Sequence, residues 1–216
     1  MRKYSRMGDE PTYRDKKAAG GNPCLEQTLE TFEMCCLVET FPNSHESYAE
    51  YEETLEMAFQ YAKIVTLGLP HIPETARVMA ENRRIGTSMS GIAQFIANKG
   101  VKSLMDWSDQ GYKFIRKYDE AISKQLSVPE SIKVTSIKPS GTVSLLAGAT
   151  PGVHYPHSEF YTRRMRLSKA SELLPPILEA GYAVEEDAMD SNGVVIEIPV
   201  HIGTGTRSLN DVTLWE

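Results

Sequence analysis

Apolar positions recur along this chain with two periods, and their order predicts its elements. Tyr48, Tyr51, Leu55, Ala58, Phe59, Ala62 and Val65 share one face at helical spacing. Asn43 with Glu46 offers a capping pair ahead of that helix, and Gly68 and Pro70 stop it. Pro73 suits the first turn of a second helix, running to about Asn82. A third is predicted over Ser103 to Leu126, with Trp107, Ile115, Tyr118 and Ile122 inward. Its opposite face, Lys113, Arg116, Lys117, Asp119 and Glu120, reads as solvated surface. Glu172 to Ala180 predicts a further helix, kinked or restarted at Pro175, and the final DVTLWE begins another.

Strand patterns fall between these helices. Ile132 to Ile137 alternates Ile and Val with Lys, Thr and Ser. Phe32 to Phe41 contains a short apolar run of the kind a buried strand needs, predicting a strand near residues 34 to 41. Ile85 to Ser90 reads as a strand of small residues that must leave room for something. Thr162 to Leu167 reads as a strand with Arg163, Arg164 and Arg166 on its polar side. Val194 to Val200 is a clean strand, with Pro199 marking its end. The alternation of strand and helix predicts an α/β fold with a parallel sheet and long crossovers. Residues 1–20 show no apolar face and read as a lead-in that packs on another segment, so Met1 is not expected to begin the fold.

Composition narrows the class. The chain's 216 residues fit one domain or a piece of a larger one, and 41% apolar residues suffice for a core. A mean hydropathy of -0.34, without any long uncharged apolar run, argues against a membrane span. The basic, polar start is not a signal peptide. Three cysteines, two adjacent, make no disulfide framework, so the expected setting is the reducing cytoplasm. A net charge of -6 argues against nucleic acid as a partner. A phosphorylated ligand would then need a local device.

The chemistry concentrates in GNPCLEQTLETFEMCCLVET, Gly21 to Thr40, which holds Cys24, Cys35 and Cys36. Pro23 keeps the Asn-Pro-Cys-Leu-Glu stretch out of a helix, so the expectation is a cysteine loop followed by a strand carrying two more cysteines. No CxxC spacing occurs and the five histidines are scattered, which disfavours zinc. A thiol hydrolase would need one of His45, His71, His154, His157 or His201 beside the thiol. Redox or radical chemistry is the remaining option, with Glu26 placed for general-base work on a hydroxyl. Cys36 reads as a small buried hydrophobe, because neighbours on a strand face opposite sides.

A second device follows Lys138. Pro139, Ser140, Gly141, Thr142, Val143 and Ser144 lead into apolar Leu145 and Leu146. A strand, a small-residue turn and a helix start bring backbone N–H groups and hydroxyls together, an anion site without excess positive charge. A plain N-cap fits the same residues. Arg83 and Arg84 suit either phosphate or a structural role, while His154 and His157 read as structural.

The run NPCLEQTLETFEMCCLVETFP resembles the active-site region of ribonucleotide reductases, in particular the adenosylcobalamin-dependent, monomeric branch acting on ribonucleoside triphosphates. Across that superfamily Gly commonly follows the cysteine; Leu25 here is the form expected of the triphosphate branch. NRRIG, PSGT and TPGVHYPHSEFYTRRMRLSK are also similar to family segments. The resemblance implies part of a ten-stranded α/β barrel, with residues 1–216 its later portion. It assigns Cys24 as the thiyl-radical residue, Glu26 as base for the 3′ hydroxyl, Asn22 as the amide on the sugar hydroxyls and Cys35 as one reducing cysteine. It assigns Pro139, Ser140, Gly141, Thr142, Val143 and Ser144 to the substrate phosphates. It further implies adenosylcobalamin as cofactor, thioredoxin or a similar dithiol as reductant, and a remainder holding the first half-barrel, the partner of Cys35 and a relaying cysteine pair. The alternatives are a diphosphate reductase of another class, or a split subunit or remnant acting only in assembly.

Overall fold

Turn chemistry and one buried seam account for most of the architecture. The computed structural model of the chain describes Asp15, residues 17–213 and Trp215. Most of the predicted lead-in therefore lies outside the described residues. Two compact units divide the chain, Met1–His154 and Tyr155–Glu216.

The first unit opens with a hairpin of two short strands, β1 (Gly20–Gly21) and β2 (Thr28–Leu29). β3 (Leu37–Thr40) and β4 (Gly86–Met89) pair in parallel, Leu37 opposite Gly86 and Thr40 opposite Met89. The crossover between them carries α1 (Tyr48–Val65) and α2 (Pro73–Asn82), as a parallel pair requires. The strand expected over Ile132 to Ile137 is reduced to one parallel bridge, Thr87 to Thr135. Backbone bonds at Ile85, Thr87 and Ser136 nevertheless hold that segment along β4. The strand near residues 34 to 41 starts at Leu37, so Cys35 and Cys36 precede it rather than ride on it.

α1 starts at Ser47, whose side chain caps Glu50 N, while Asn43 sits in the 3₁₀ turn Pro42–Ser44. The capping pair is therefore one turn later than Asn43 and Glu46 predict. Asn43 instead fills the space against Gly91, where a Cβ would meet its Oδ1 at 1.9 Å. The helix buries Tyr51, Leu55, Phe59 and Ala62 as expected, but Lys63 is buried and Val65 is half exposed.

α3 (Ile92–Leu126) begins eleven residues before Ser103 and is broken at Gly100, whose φ of 81° only glycine adopts readily. Ile115 and Ile122 join Tyr51, Leu55, Phe59, Ala62, Ile85 and Val134 in the core. Each large side chain buried there contributes about 1.5–3 kcal/mol. Trp107 stacks on Tyr51 at 5.5 Å and meets Phe95 edge-on at 4.8 Å.

Asp119 corrects the solvated-face expectation, since its side chain is fully buried. Its Oδ1 receives Lys63 Nζ at 2.7 Å and its Oδ2 receives Ser131 N at 2.7 Å. The Lys63 ammonium also donates to Pro129 O and Ser131 Oγ. Burial pushes the Lys63 pKa down, against the opposing pull of Asp119.

After α4 (Val143–Leu146), the second unit is a three-stranded sheet ordered β5 (Phe160–Ser168), β7 (Gly193–His201), β6 (Ala183–Glu186). It is antiparallel throughout, so the parallel pattern holds only in the first unit. Val194, Val195 and Ile196 are buried in the central strand. Arg164 pairs with Glu185 and Glu197, and Arg166 with Asp187 at 2.8 Å. Residues two apart on a strand share a face, so Arg163 lies on the other one. α5 (Leu174–Glu179) takes Pro175 in its first turn, where no N–H is missed. The helix expected at DVTLWE is not formed over Val212 and Thr213; a 3₁₀ turn, Leu209–Asp211, precedes them. Leu214 and Glu216 lie outside the described residues. Among the described residues no helix is long and apolar enough to cross a membrane.

Candidate active site

The cysteine loop is a local consequence of its sequence. Leu25 N donates to Asn22 O at 2.9 Å, closing a β-turn with Pro23 at the position that favours its fixed φ. Cys24 is the next corner, exposed at the tip. Asn22 N donates to Gln27 O, and Gln27 N returns to Asn22 Oδ1 at 3.1 Å. The loop is thus cross-braced above the β1–β2 hairpin.

Leu25 has a φ of 59°, the left-handed region that costs an ordinary L residue roughly 1 kcal/mol. This is the physical reason a glycine suits the position after the cysteine. Leu25→Gly is expected to keep the turn and change stability by no more than about 1 kcal/mol, since relief of strain offsets the added freedom of the unfolded chain. A loss of several kcal/mol in a denaturant titration would show that the exposed Leu25 side chain makes an essential contact instead.

The loop rests on one face of the β3–β4 pair. Gly86, Ser88 and Ser90 make this face shallow. A Cβ on Gly86 would lie 2.4 Å from the Leu37 side chain, 2.8 Å from Ser136 and 3.0 Å from Gln27 Nε2. Only glycine admits the fully buried Gln27 here. Ser136 Oγ donates to Glu26 O at 2.8 Å, tying the loop to the segment beside β4. Glu26 Oε2 and both polar atoms of the Gln27 amide are buried without hydrogen-bond partners. Buried polar groups without a partner are uncommon, so each of these calls for a further group beside it.

Cys35 is half-buried and free. Burial raises its pKa, and the Glu26 and Glu33 carboxylates push the same way while Arg84 and Lys133 oppose. The thiol is therefore held protonated at neutral pH, with a hydrogen to give, and the Glu26 carboxylate acts on it electrostatically. Cys36 is buried and donates to Ala62 O at 3.5 Å, in keeping with its reading as a small hydrophobe.

The two arginines resolve differently from a phosphate site. Arg84 is fully buried, with Asp15 gripped by both terminal nitrogens and Glu33 at 2.9 Å from its Nε. Arg83 donates to Thr66 O. Both are spent on protein partners, and Arg84 with Asn82 anchors the segment after the cysteine loop through Glu33 and Glu30.

Pro139, Gly141, Thr142 and Val143 are exposed, while Ser140 and Ser144 are buried. Ser140 has a φ of 52°, and Ser144 Oγ and N both bond its carbonyl. The helix start is real, but α4 is a single turn. Its macrodipole is correspondingly small, so the helix-end device expected from the sequence is weak here.

Glu39, Ser88, Ser90, Ser136 and Gln27 share this face and were not singled out by motif. The one signal for them was the run of small residues from Gly86 to Ser90. Burial raises the Glu39 pKa, opposed by Ser90, the Lys138 cation, Ser88 and Ser140 beside it. Neither Glu39 Oε2 nor Ser140 Oγ makes a hydrogen bond of normal geometry. His154 and His157 are exposed, and among the described residues no three His, Cys, Asp or Glu side chains converge as a metal site.

No family model matches the chain. It is 59% identical, over all of its length, to a probable adenosylcobalamin-dependent ribonucleoside-triphosphate reductase of Dictyostelium discoideum, and covers 29% of that protein. The adenosylcobalamin-dependent ribonucleoside-triphosphate reductase of Euglena gracilis is 51% identical over the whole chain, which covers 30% of it. The protein of that name from Lactobacillus leichmannii is 35% identical over 86% of the chain. The crystal structure of a B12-dependent, class II ribonucleotide reductase superposes with a TM-score of 0.78 at 31% identity, covering 93% of this chain and 31% of that one. The alpha subunit of the Actinobacillus ureae class Id ribonucleotide reductase shares the fold over 78% of this chain, with a TM-score of 0.51 at 15% identity. The chain thus spans under a third of the length of the curated relatives it matches. Carrying the NPCLE loop, free cysteines and a small-residue face on an α/β fold, this chain is similar over its whole length to a segment of the adenosylcobalamin-dependent ribonucleoside-triphosphate reductases it matches.

Proposed function

We propose that this segment supplies the radical cysteine and the base of an enzyme that reduces ribonucleoside triphosphates to 2′-deoxyribonucleoside triphosphates, with adenosylcobalamin as cofactor. The observation that carries the reading is an exposed Cys24 at the tip of a braced turn, with a buried, unpartnered Glu26 oxygen behind it. Residues 1–216 would form the later portion of a ten-stranded α/β barrel in a cytoplasmic enzyme. The remainder of the barrel, the partner of Cys35 and a dithiol reductant such as thioredoxin would complete it.

Access at the turn tip fits a cofactor that meets Cys24 from outside this segment; no described residue is assigned to hold it. Adenosylcobalamin, when bound, supplies the homolytic chemistry that turns a thiol into a thiyl radical. The Cys24 sulfur then takes the 3′ hydrogen, forming S–H and leaving a carbon radical. Glu26 accepts the 3′ hydroxyl proton. The 2′ hydroxyl leaves as water with a proton from the Cys35 pair, which also gives a hydrogen atom to the 2′ carbon; as the pair closes to a disulfide, its remaining electron and the proton returned by Glu26 restore the 3′ hydroxyl and the 3′ carbon radical. Cys24 returns its hydrogen to the 3′ carbon. Asn22 Oδ1 is held by Gln27 N, so its NH₂ is the part offered to the sugar hydroxyls. Residues Pro139 to Ser144 would receive the phosphates.

The complete enzyme is expected to turn over triphosphates with adenosylcobalamin and a dithiol alone. A requirement for an iron-bearing second subunit, or a preference for diphosphates, would sink the reading.

A further inference from the structure

Glu39 occupies the end of β3 beneath the loop just assigned to the phosphates. Its Oε1 accepts from Ser90 Oγ at 2.7 Å and from Ser88 Oγ at 3.2 Å. The same two hydroxyls accept from the loop: Lys138 N reaches Ser88 Oγ at 2.8 Å and Gly152 N reaches Ser90 Oγ at 2.9 Å. Lys138 and Gly152 bracket the segment 139–151 that contains that loop and α4, and they abut, since a Cβ on Gly152 would lie 2.8 Å from Lys138 O. A hydroxyl has one proton and two lone pairs. By taking both protons, one carboxylate oxygen forces both serines to present lone pairs to the loop amides.

We infer that Glu39 is the positioning residue of the phosphate loop, fastening through Ser88 and Ser90 the two ends of the segment 139–151 that carries it and so fixing how residues 139–144 face the substrate. The inference rests on the reading of residues 139–144 as the phosphate site. Glu39 needs no contact with the substrate for this role. Its effect passes through the two serines.

The test uses the full-length enzyme that carries this segment, assayed with each of the four ribonucleoside triphosphates. Glu39→Ala removes the shared acceptor. Its KM is expected to rise at least about tenfold, the scale of a lost hydrogen bond to a charged group, with kcat changed by less than about threefold. Amide exchange should quicken at Lys138 and Gly152 while residues 20–29 keep their protection. Glu39→Gln retains a carbonyl oxygen for both serines and should restore KM to within about threefold. Ser90→Ala cuts one relay without removing the carboxylate, and should raise KM by a smaller factor even if Glu39→Ala folds poorly. Gly141→Val probes the underlying reading separately, because it adds bulk within residues 139–144 at a Cβ position that nothing approaches within 4 Å. Impaired Gly141→Val with normal KM in Glu39→Ala and Ser90→Ala overturns the positioning role alone. Normal KM in Gly141→Val overturns the phosphate-loop reading, and the Glu39 inference falls with it. A fall in kcat at unchanged KM in Glu39→Ala also overturns the inference.

Discussion

Cys24→Ser in the complete enzyme reduces deoxyribonucleotide formation to background, whatever dithiol is supplied. This expected result follows from chemistry rather than packing. The side chain sits exposed on a turn held by Pro23 and by bonds between Asn22, Leu25 and Gln27, none of which involves the sulfur. Serine therefore preserves the loop while replacing an S–H bond by an O–H bond far harder to break homolytically. Denaturation midpoints should match the parent, which separates lost chemistry from lost fold. Cys35→Ser offers the contrast. Radical formation at Cys24 persists, but the hydrogens that reduce the 2′ position are gone, so repeated turnover fails. Sustained product formation by Cys24→Ser would refute the assignment of the radical site.

The largest effect on stability is expected at Asp119→Ala, a loss of about 3–5 kcal/mol in a denaturant titration. Both Lys63 and Asp119 side chains are fully buried, and Asp119 also receives Ser131 N, Ser131 Oγ and Ser123 Oγ. Truncation strands an ammonium with only a carbonyl and a hydroxyl for company. Burial already lowers the Lys63 pKa, and losing the carboxylate lowers it further. The unfolded chain keeps that proton up to its ordinary value of 10.5, so it binds more protons than the folded variant across the intervening range. Stability of the variant therefore rises with pH through that window, and its deficit narrows. Replacing both partners, as Lys63→Met with Asp119→Leu, should recover most of the loss, because no uncompensated charge remains. A deficit below about 1 kcal/mol for Asp119→Ala would mean water reaches the pair.

The difference between these two sites bears on what could be read from residues in order. The turn that carries Cys24 is shaped by its immediate neighbours: proline at one corner, and an asparagine that braces its own turn, with a carboxylate two places on. Turn geometry is short-range, so Asn22 to Gln27 was legible as a loop bearing a cysteine. Helix positions with strong periodicity, Tyr51, Leu55 and Phe59 on α1 and Ile115 and Ile122 on α3, were legible for the same reason.

The polar residues were not. Asp119 looks like solvated surface on its own helix and is buried because Lys63, 56 residues earlier, faces it. Arg84 suits phosphate or a structural role equally by sequence, and is consumed by Asp15, 69 residues away. Glu39 carries no motif at all, and its place beside residues 138 and 152 depends on Ser90, 51 residues on. Charged and hydroxyl side chains take their roles from the groups they meet, since burial without a partner costs more than any local propensity supplies. Local sequence therefore determined the cysteine loop, the apolar helix faces and the family likeness. Only the closing of β3 onto β4 and of α1 onto α3 decided which charges became structural pairs and which carboxylate came to accept from Ser88 and Ser90, because no stretch of chain contains both partners.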